Sequence, residues 1–421
     1  MQTQKIDLPR VLIIGTTPYD PNEASRALDT YFHDWPKEKL RMIFSNANVP
    51  QKWNCSSMYQ ITDKSLLKRL FCKKEQVGKI YNYNDLPECR FVSDEGTIRK
   101  FKKKTTLRFY ARKFLWNKKM WLNKELLDWV DDYKPEAIYI CFSDDYFILD
   151  MAYTFAKRFS IPIICQIGDD YYFKKNRNIL MVPYLISYKK LFSKIMNLDG
   201  FGVYISQKLA DKYNSFFKLQ GCPFYLSSSI PQQKHELKFE FNYFGKIELG
   251  RYKSLAILAD ELAKINKEFK VHIYSSCKNK RIYKFLDKHN CSLEKEILYS
   301  EVKEKMNSGA FNIIASGFGK KDIETTRYSL STKISDCLAS SGPIIAIGPI
   351  GDGAIDFLKQ YESAIVLQNK KNDNAALAKV LSDHLYLERL IFNAKKVHET
   401  LFNQENNIKL FRQKCLDLRR N

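Results

Sequence analysis

The residues most able to do chemistry sit at the ends of apolar runs. Ser331-Thr332-Lys333 leads into a short helix pattern through Ile334, Leu338 and Ala339, followed by Gly342-Pro343 and the β-branched run Ile344 to Ile347. Gly and Pro stop a helix, and a β-branched run starts a buried strand. A helix N-terminus bearing Ser331, Thr332 and Lys333 offers backbone N–H groups, hydroxyls and a cation to a phosphate. Asp336, one turn in, could then accept from sugar hydroxyls; the plainer alternative is an ordinary capped helix. A second turn reads Gly245-Lys246, then Gly250-Arg251, between a strand at Phe239 to Phe244 and a helix from Ser254 to Ile265. Two cations at this spacing suit a diphosphate leaving group, whose developing charge must meet fixed positive groups. The alternative is a solvated glycine turn with two surface cations. Two further strands, Glu136 to Phe142 and Pro162 to Ile167, stop at Asp pairs, Asp144-Asp145 and Asp169-Asp170. Strand C-terminal ends hold ligands in open α/β sheets. Carboxylates there can act as acid or base, or cap a helix. Capping is expected for Asp144 and Asp145, and acceptor contact for Asp169 or Asp170.

The elements that position these groups alternate between strand and helix. Val11 to Ile14 ends at Gly15 and Thr16, and a polar loop leads to a helix near Ala24 to Phe32, the opening βα unit of a doubly wound sheet. The loop carries Asn22, Glu23, Ser25 and Arg26 but no GxGxxG, so a dinucleotide fingerprint is absent. Arg41 to Ser45 is a strand, and Ser57 to Leu70 is loop with a short helix. Phe201 to Ile205 is a strand closed by a helix opening at Ser206-Gln207-Lys208. Pro and Ser clusters over residues 223–234 read as a connection between domains. The second half gives strands at Val271 to Tyr274, an edge near Glu296 to Tyr299, Phe311 to Ile314 and Ala364 to Leu367, with a long polar loop from Ala315 to Leu330. Phe402 to Arg420 is expected to cross back onto the first domain.

Composition bounds the partners. Lys and Arg number 69 against 47 Asp and Glu in 421 residues, a net charge of +22, which attracts nucleic acid, anionic membrane or acidic polymers. A hydrophobic share of 45% supports real cores and excludes disorder. The ten cysteines are scattered without metal spacing, and the six histidines show none either. No resident metal or cofactor is expected. Lacking an h-region or a bilayer-length apolar run, the chain reads as cytoplasmic, with any membrane contact peripheral.

One stretch is strongly biased. Residues 99–124 carry eleven Lys or Arg and no Asp or Glu, interleaved with Phe101, Phe109, Tyr110, Phe114, Trp116 and Trp121. That pattern describes an interfacial helix on an anionic inner leaflet, a core helix with a basic outer face, or a nucleic-acid patch.

Three segments resemble GT-B glycosyltransferases: 245–254, 331–343 and 201–208. The resemblance implies two Rossmann-like doubly wound α/β domains facing a cleft. These are an acceptor-binding domain over 1–230 and a nucleotide-sugar donor domain over 238–400, with 401–421 crossing back. It assigns Lys246, Arg251 and Lys333 to the diphosphate and Asp336 to the ribose. Tyr328 stands where that family places a second acid. Gly15, Thr16 and Arg26 would lie on the loop facing the cleft. The reaction implied is metal-independent transfer from a nucleotide-diphosphate sugar to a glycan or lipid-linked acceptor in surface-polysaccharide or glycoprotein synthesis, with no nucleic-acid partner. The rival readings are a nucleotide-sugar epimerase or hydrolase of the same fold, and a non-enzymatic basic binder of nucleic acid or membrane.

Overall fold

A computed structural model describes residues 7–17, 26–32, 34–47, 54–72, 76–83, 105–175, 178–227, 230, 235–368 and 374–419. The sequence expectations for Asn22, Glu23, Ser25, the Arg26 side chain and residues 99–104 and 231–234 lie outside these. The chain divides into two compact units, one of residues 1–223 with 405–421, the other of residues 224–404.

The first unit is built on eight strands: β1 (Val11–Gly15), β2 (Leu40–Phe44), β3 (Ser57–Ile61), β4 (Gly78–Asn82), β5 (Ala137–Cys141), β6 (Ile163–Ile167), β7 (Gly200–Tyr204) and β8 (Gly221–Pro223). They lie in the order β4-β3-β2-β1-β5-β6-β7-β8. All pairs are parallel except β3 with β4. β1 is buried at every residue, as a strand covered by helices on both faces must be. β3 and β4 are additions to the sequence reading, which took Ser57 to Leu70 as loop and helix. The polar Ser57 hides the strand: its hydroxyl is buried but occupied, lying 3.2 Å from the Tyr81 carbonyl and 2.9 Å from Asn82. The helix Asp63–Phe71 follows, closed by a capping box between Thr62 and Ser65.

The helix Gln404–Asp417 brings Phe411 into an aromatic cluster of this unit, 5.3 Å from the rings of both Tyr31 and Phe32 and 6.1 Å from Trp35. Beyond it, Arg419 bonds Asp7 and Glu136.

The second unit has β9 (Lys238–Phe244), β10 (Val271–Tyr274), β11 (Cys291–Glu294), β12 (Ala310–Ala315), β13 (Ile344–Ile347) and β14 (Ile365–Leu367). Their order is β11-β10-β9-β12-β13-β14, all parallel, the order of a dinucleotide-type doubly wound sheet. The edge strand precedes the place expected for it, because Tyr299 opens the helix Tyr299–Met306. The expected loop of residues 315–330 contains the helix Lys320–Thr326. No helix among the described residues is long and apolar enough to cross a membrane.

Candidate active site

In an open sheet, ligands gather where the winding reverses, beyond the strands' C-terminal ends. In the second unit that point lies between β9 and β12. Gly245, which follows β9, has φ +109°, a conformation that strains any residue with a Cβ. An added Cβ would fall 2.7 Å from Lys333 Nζ and 2.8 Å from its Cε. The lysine therefore lies directly on the glycine backbone. Its Nζ is also 4.5 Å from the centre of the Tyr243 ring and 3.4 Å from the Tyr243 hydroxyl. That buried ring is fixed in turn by a hydrogen bond from its hydroxyl to the Lys246 carbonyl, 2.5 Å.

Arg251 opens the helix Arg251–Ile265, whose preceding Gly250 supplies no side-chain cap. Its guanidinium lies 3.4 Å from the Lys246 carbonyl, while the Lys246 side chain is exposed. A Cβ on Gly317 would sit 2.3 Å from the Leu249 carbonyl, so the loop after β12 presses against the same turn. One turn thus holds two cations, Lys246 and Arg251, with Lys333 seated behind it. Lys333 pays for its position. Burial first, and the nearby Arg251 second, lower its pKa to about 8.

That value sets a pH dependence. A bound anion favours the ammonium, so binding takes up a proton wherever free Lys333 is partly neutral. Affinity for a nucleoside diphosphate should fall about tenfold between pH 7 and pH 9, since each unit above the free pKa costs a further factor of ten in protonated site. Titration calorimetry with nucleoside diphosphates across that range, on wild type and on Lys333→Ala, checks this. A flat wild-type profile would be incompatible with the assignment.

Two sequence expectations change. The helix Lys333–Ala339 has seven residues, and Thr332 before it is in helical conformation without a side-chain cap bond. So short a helix contributes little dipole, and the lysine supplies most of the charge. Ser331 is half-buried beside the exposed Thr332. Asp336 is buried, 4% exposed, and accepts from the Tyr299 hydroxyl at 3.1 Å. A sugar hydroxyl would have to join or displace Tyr299.

In the first unit the winding reverses between β1 and β5. A cavity of 330 Å³ lies there, lined among others by Thr16, Arg108, Phe109, Arg112, Asp144 and Asp145. Gly15 is buried at the end of β1, where an added Cβ would lie 3.5 Å from both Met42 and Cys141. Asp145 precedes the helix Tyr146–Phe159 but makes no cap bond, contrary to the capping expected of it. It pairs instead with Arg112 at 2.7 Å, and Arg112 also holds Asp63 at 3.1 Å.

The other Asp pair divides. Asp170 is buried and accepts from the Phe173 N–H at 2.8 Å and the Tyr213 hydroxyl at 3.1 Å. It ties down the 170–173 turn, which corrects its assignment as an acid or base. Asp169 is exposed. Burial raises the Tyr171 pKa, and the charges of Asp169 and Asp144 add to it, in that order. Both carboxylates therefore lie near that phenol.

No family model matches the chain. No curated protein matches it either. Solved structures do. HepE from Anabaena, crystallised in complex with UDP, aligns with a TM-score of 0.58 at 9% identity, covering 97% of this chain and 100% of that one. Sucrose-phosphate synthase from Thermosynechococcus elongatus aligns at 0.54 and 12% identity, covering 97% and 99%. The fold is that of the GT-B glycosyltransferases. Within this fold, Gly245, Arg251 and Lys333 come together, with Lys246 on the same turn. Tyr243 was missed because its alternation in β9 marks it only as core. Arg108 and Arg112, four apart on one helix, were hidden inside the basic stretch; their spacing was the available signal.

Proposed function

We propose that the chain transfers a sugar from a nucleoside-diphosphate sugar to an acceptor, with the second unit binding the donor and the first the acceptor. The observation that carries this reading is the Lys333 ammonium, held on the Gly245 backbone and over Tyr243 beside Arg251. A cation kept at that desolvation cost, with no carboxylate ion-paired to it among the described residues, suits an arriving anion. The diphosphate's charge grows as the bond to the sugar breaks, and Lys333, Arg251 and Lys246 are placed to stabilise it. Solved HepE structures contain UDP, UDP with glucose, and UDP-glucose, which makes a uridine-diphosphate sugar the first donor to try. Asp336 with Tyr299 would meet the ribose. Asp144 or Asp169 would act as the base or orienting carboxylate toward the acceptor hydroxyl. The acceptor class we infer is a surface glycan or lipid-linked saccharide handled at an anionic membrane face.

The test is a thermal-shift panel of nucleotides and nucleotide sugars, followed by turnover of the best donor. A ligand at 100 times its dissociation constant stabilises by about 2.7 kcal/mol. One nucleoside diphosphate that shifts wild type, but not the Lys246→Ala/Arg251→Ala variant, supports the reading. Equal shifts in both, or none in either, refute the donor site. Donor turnover to an epimeric nucleotide sugar without acceptor would favour the epimerase alternative.

A further inference from the structure

The basic aromatic stretch does not behave as one surface. Trp116 and Trp121 are buried, Trp116 stacked 3.8 Å from the Phe147 ring. What the helix Thr106–Leu115 exposes is different: Leu107 at 79%, Ala111, and Phe114 at 69%. These fall at i, i+4 and i+7, a single apolar stripe turned outward, the reverse of a soluble helix. The stripe runs between two neighbours. On one flank, Arg112 and Trp116 bond Asp63 of the helix Asp63–Phe71. On the other, the Tyr110 hydroxyl donates to the Leu180 carbonyl at 2.9 Å, and Asn178 bonds Thr106 at 2.8 Å.

Both neighbours also expose apolar side chains. Residues 178–190 present Ile179 (82%), Leu180 (71%) and Ile186 (63%), and the helix Asp63–Phe71 presents Phe71 (90%). The three stretches 63–72, 105–124 and 178–195 carry twelve Lys or Arg and one acid, Asp63, and that acid is taken up by Arg112 and Trp116. Exposed apolar stripes rimmed by lysine match a bilayer with anionic headgroups, where the rings and alkyl chains insert and each nearby cation adds attraction.

We propose that this face of the first unit docks on an anionic phospholipid bilayer, with the Leu107-Ala111-Phe114 stripe inserted below the headgroups. Arg108, Phe109 and Arg112 leave the other side of the same helix to line the 330 Å³ cavity. Headgroup plane and cavity are then separated by about one helix diameter, roughly 10 Å. On the transferase reading above, on which this last step rests, an acceptor could keep a lipid tail in the bilayer and place its head group in the cavity.

Vesicle flotation tests the docking. Wild type should float with phosphatidylcholine vesicles containing 30% phosphatidylglycerol, about tenfold less with phosphatidylcholine alone or in 1 M salt. Leu107→Ser/Phe114→Ser should lose at least tenfold in partition at an unchanged melting temperature, since both side chains are already solvent-exposed. Equal flotation of the variant, or no flotation of wild type, overturns the proposal. So does a wild-type dimer that ignores vesicles and is split by the variant, which would make the face a contact between copies. The UDP-induced thermal shift, measured alongside, separates the two ideas. Wild type that shifts with UDP but does not float sinks only the docking, and wild type that floats without a UDP shift sinks only the donor site.

Discussion

Replacing Lys333 with Met is expected to weaken UDP binding about 100-fold at pH 7 while making the ligand-free protein more stable. The two effects have one cause. Lys333 keeps its charge against burial, and its pKa near 8 lies below the 10.5 of an exposed lysine. Between those values the unfolded chain binds more protons than the folded one, so stability of the free protein rises with pH from about 8 to 10.5. At pH 7 the folded chain bears the full cost of charging, on the order of 2 kcal/mol after discounting for partial exposure. Met fills similar volume without the charge and removes that cost. A hydrogen bond from a charged group to phosphate contributes about 1.5–3 kcal/mol, and a 100-fold loss corresponds to about 2.7 kcal/mol. Calorimetry with UDP and urea unfolding of the apo protein read the two halves separately. A variant that binds UDP as well as wild type ends the assignment, whatever its stability.

Trp116→Ala should destabilise the first unit by about 3–5 kcal/mol, the range for removing a buried large aromatic. The indole is 1% exposed and stacked on Phe147, with Nε1 donating to Asp63 at 2.6 Å. Arg112 lies 4.9 Å from the Phe147 ring centre and 5.9 Å from that of Trp116, so the substitution also loosens the Asp63–Arg112–Asp145 chain at the cavity wall. Phe114→Ala, two residues earlier on the exposed stripe, should cost under about 0.5 kcal/mol. Denaturant midpoints of the two variants decide whether the aromatics of this stretch form one surface. Equal, small effects would return Trp116 to the membrane-facing set.

Much of this architecture could be read from residue patterns, and the exceptions have specific causes. Val11 to Ile14, Ile344 to Ile347 and the strands ending at the Asp pairs are short β-branched runs closed by Gly or Asp, a signal that survives without tertiary context. β3 could not be seen that way, because Ser57 and Gln60 break up its apolar pattern and find their partners only across the sheet and in the loop after β2. The cations of the turn at residues 245–251 were legible from glycine spacing. Their geometry was not: nothing in the sequence says that Lys333 reaches back across 90 residues to Tyr243. The Asp pairs show the same limit. Spacing places all four carboxylates at strand ends, but the choice between Asp170 holding a turn and Asp145 answering Arg112 depends on which side chains pack above them.

The return of the last helix to the first unit has a consequence for how the chain is made. Phe411 completes an aromatic cluster begun by Tyr31, Phe32 and Trp35, and Arg419 bonds Asp7 and Glu136. The first unit therefore gains residues 405–421 only after the second, residues 224–404, has been made without interruption. Synthesis leaves the Tyr31 and Phe32 faces waiting until the intervening chain up to Phe411 is made. Closure of that aromatic cluster then waits until Phe411 has been made, and a chain stopped short of it would keep the unit of residues 224–404 while leaving the first unit's cluster open.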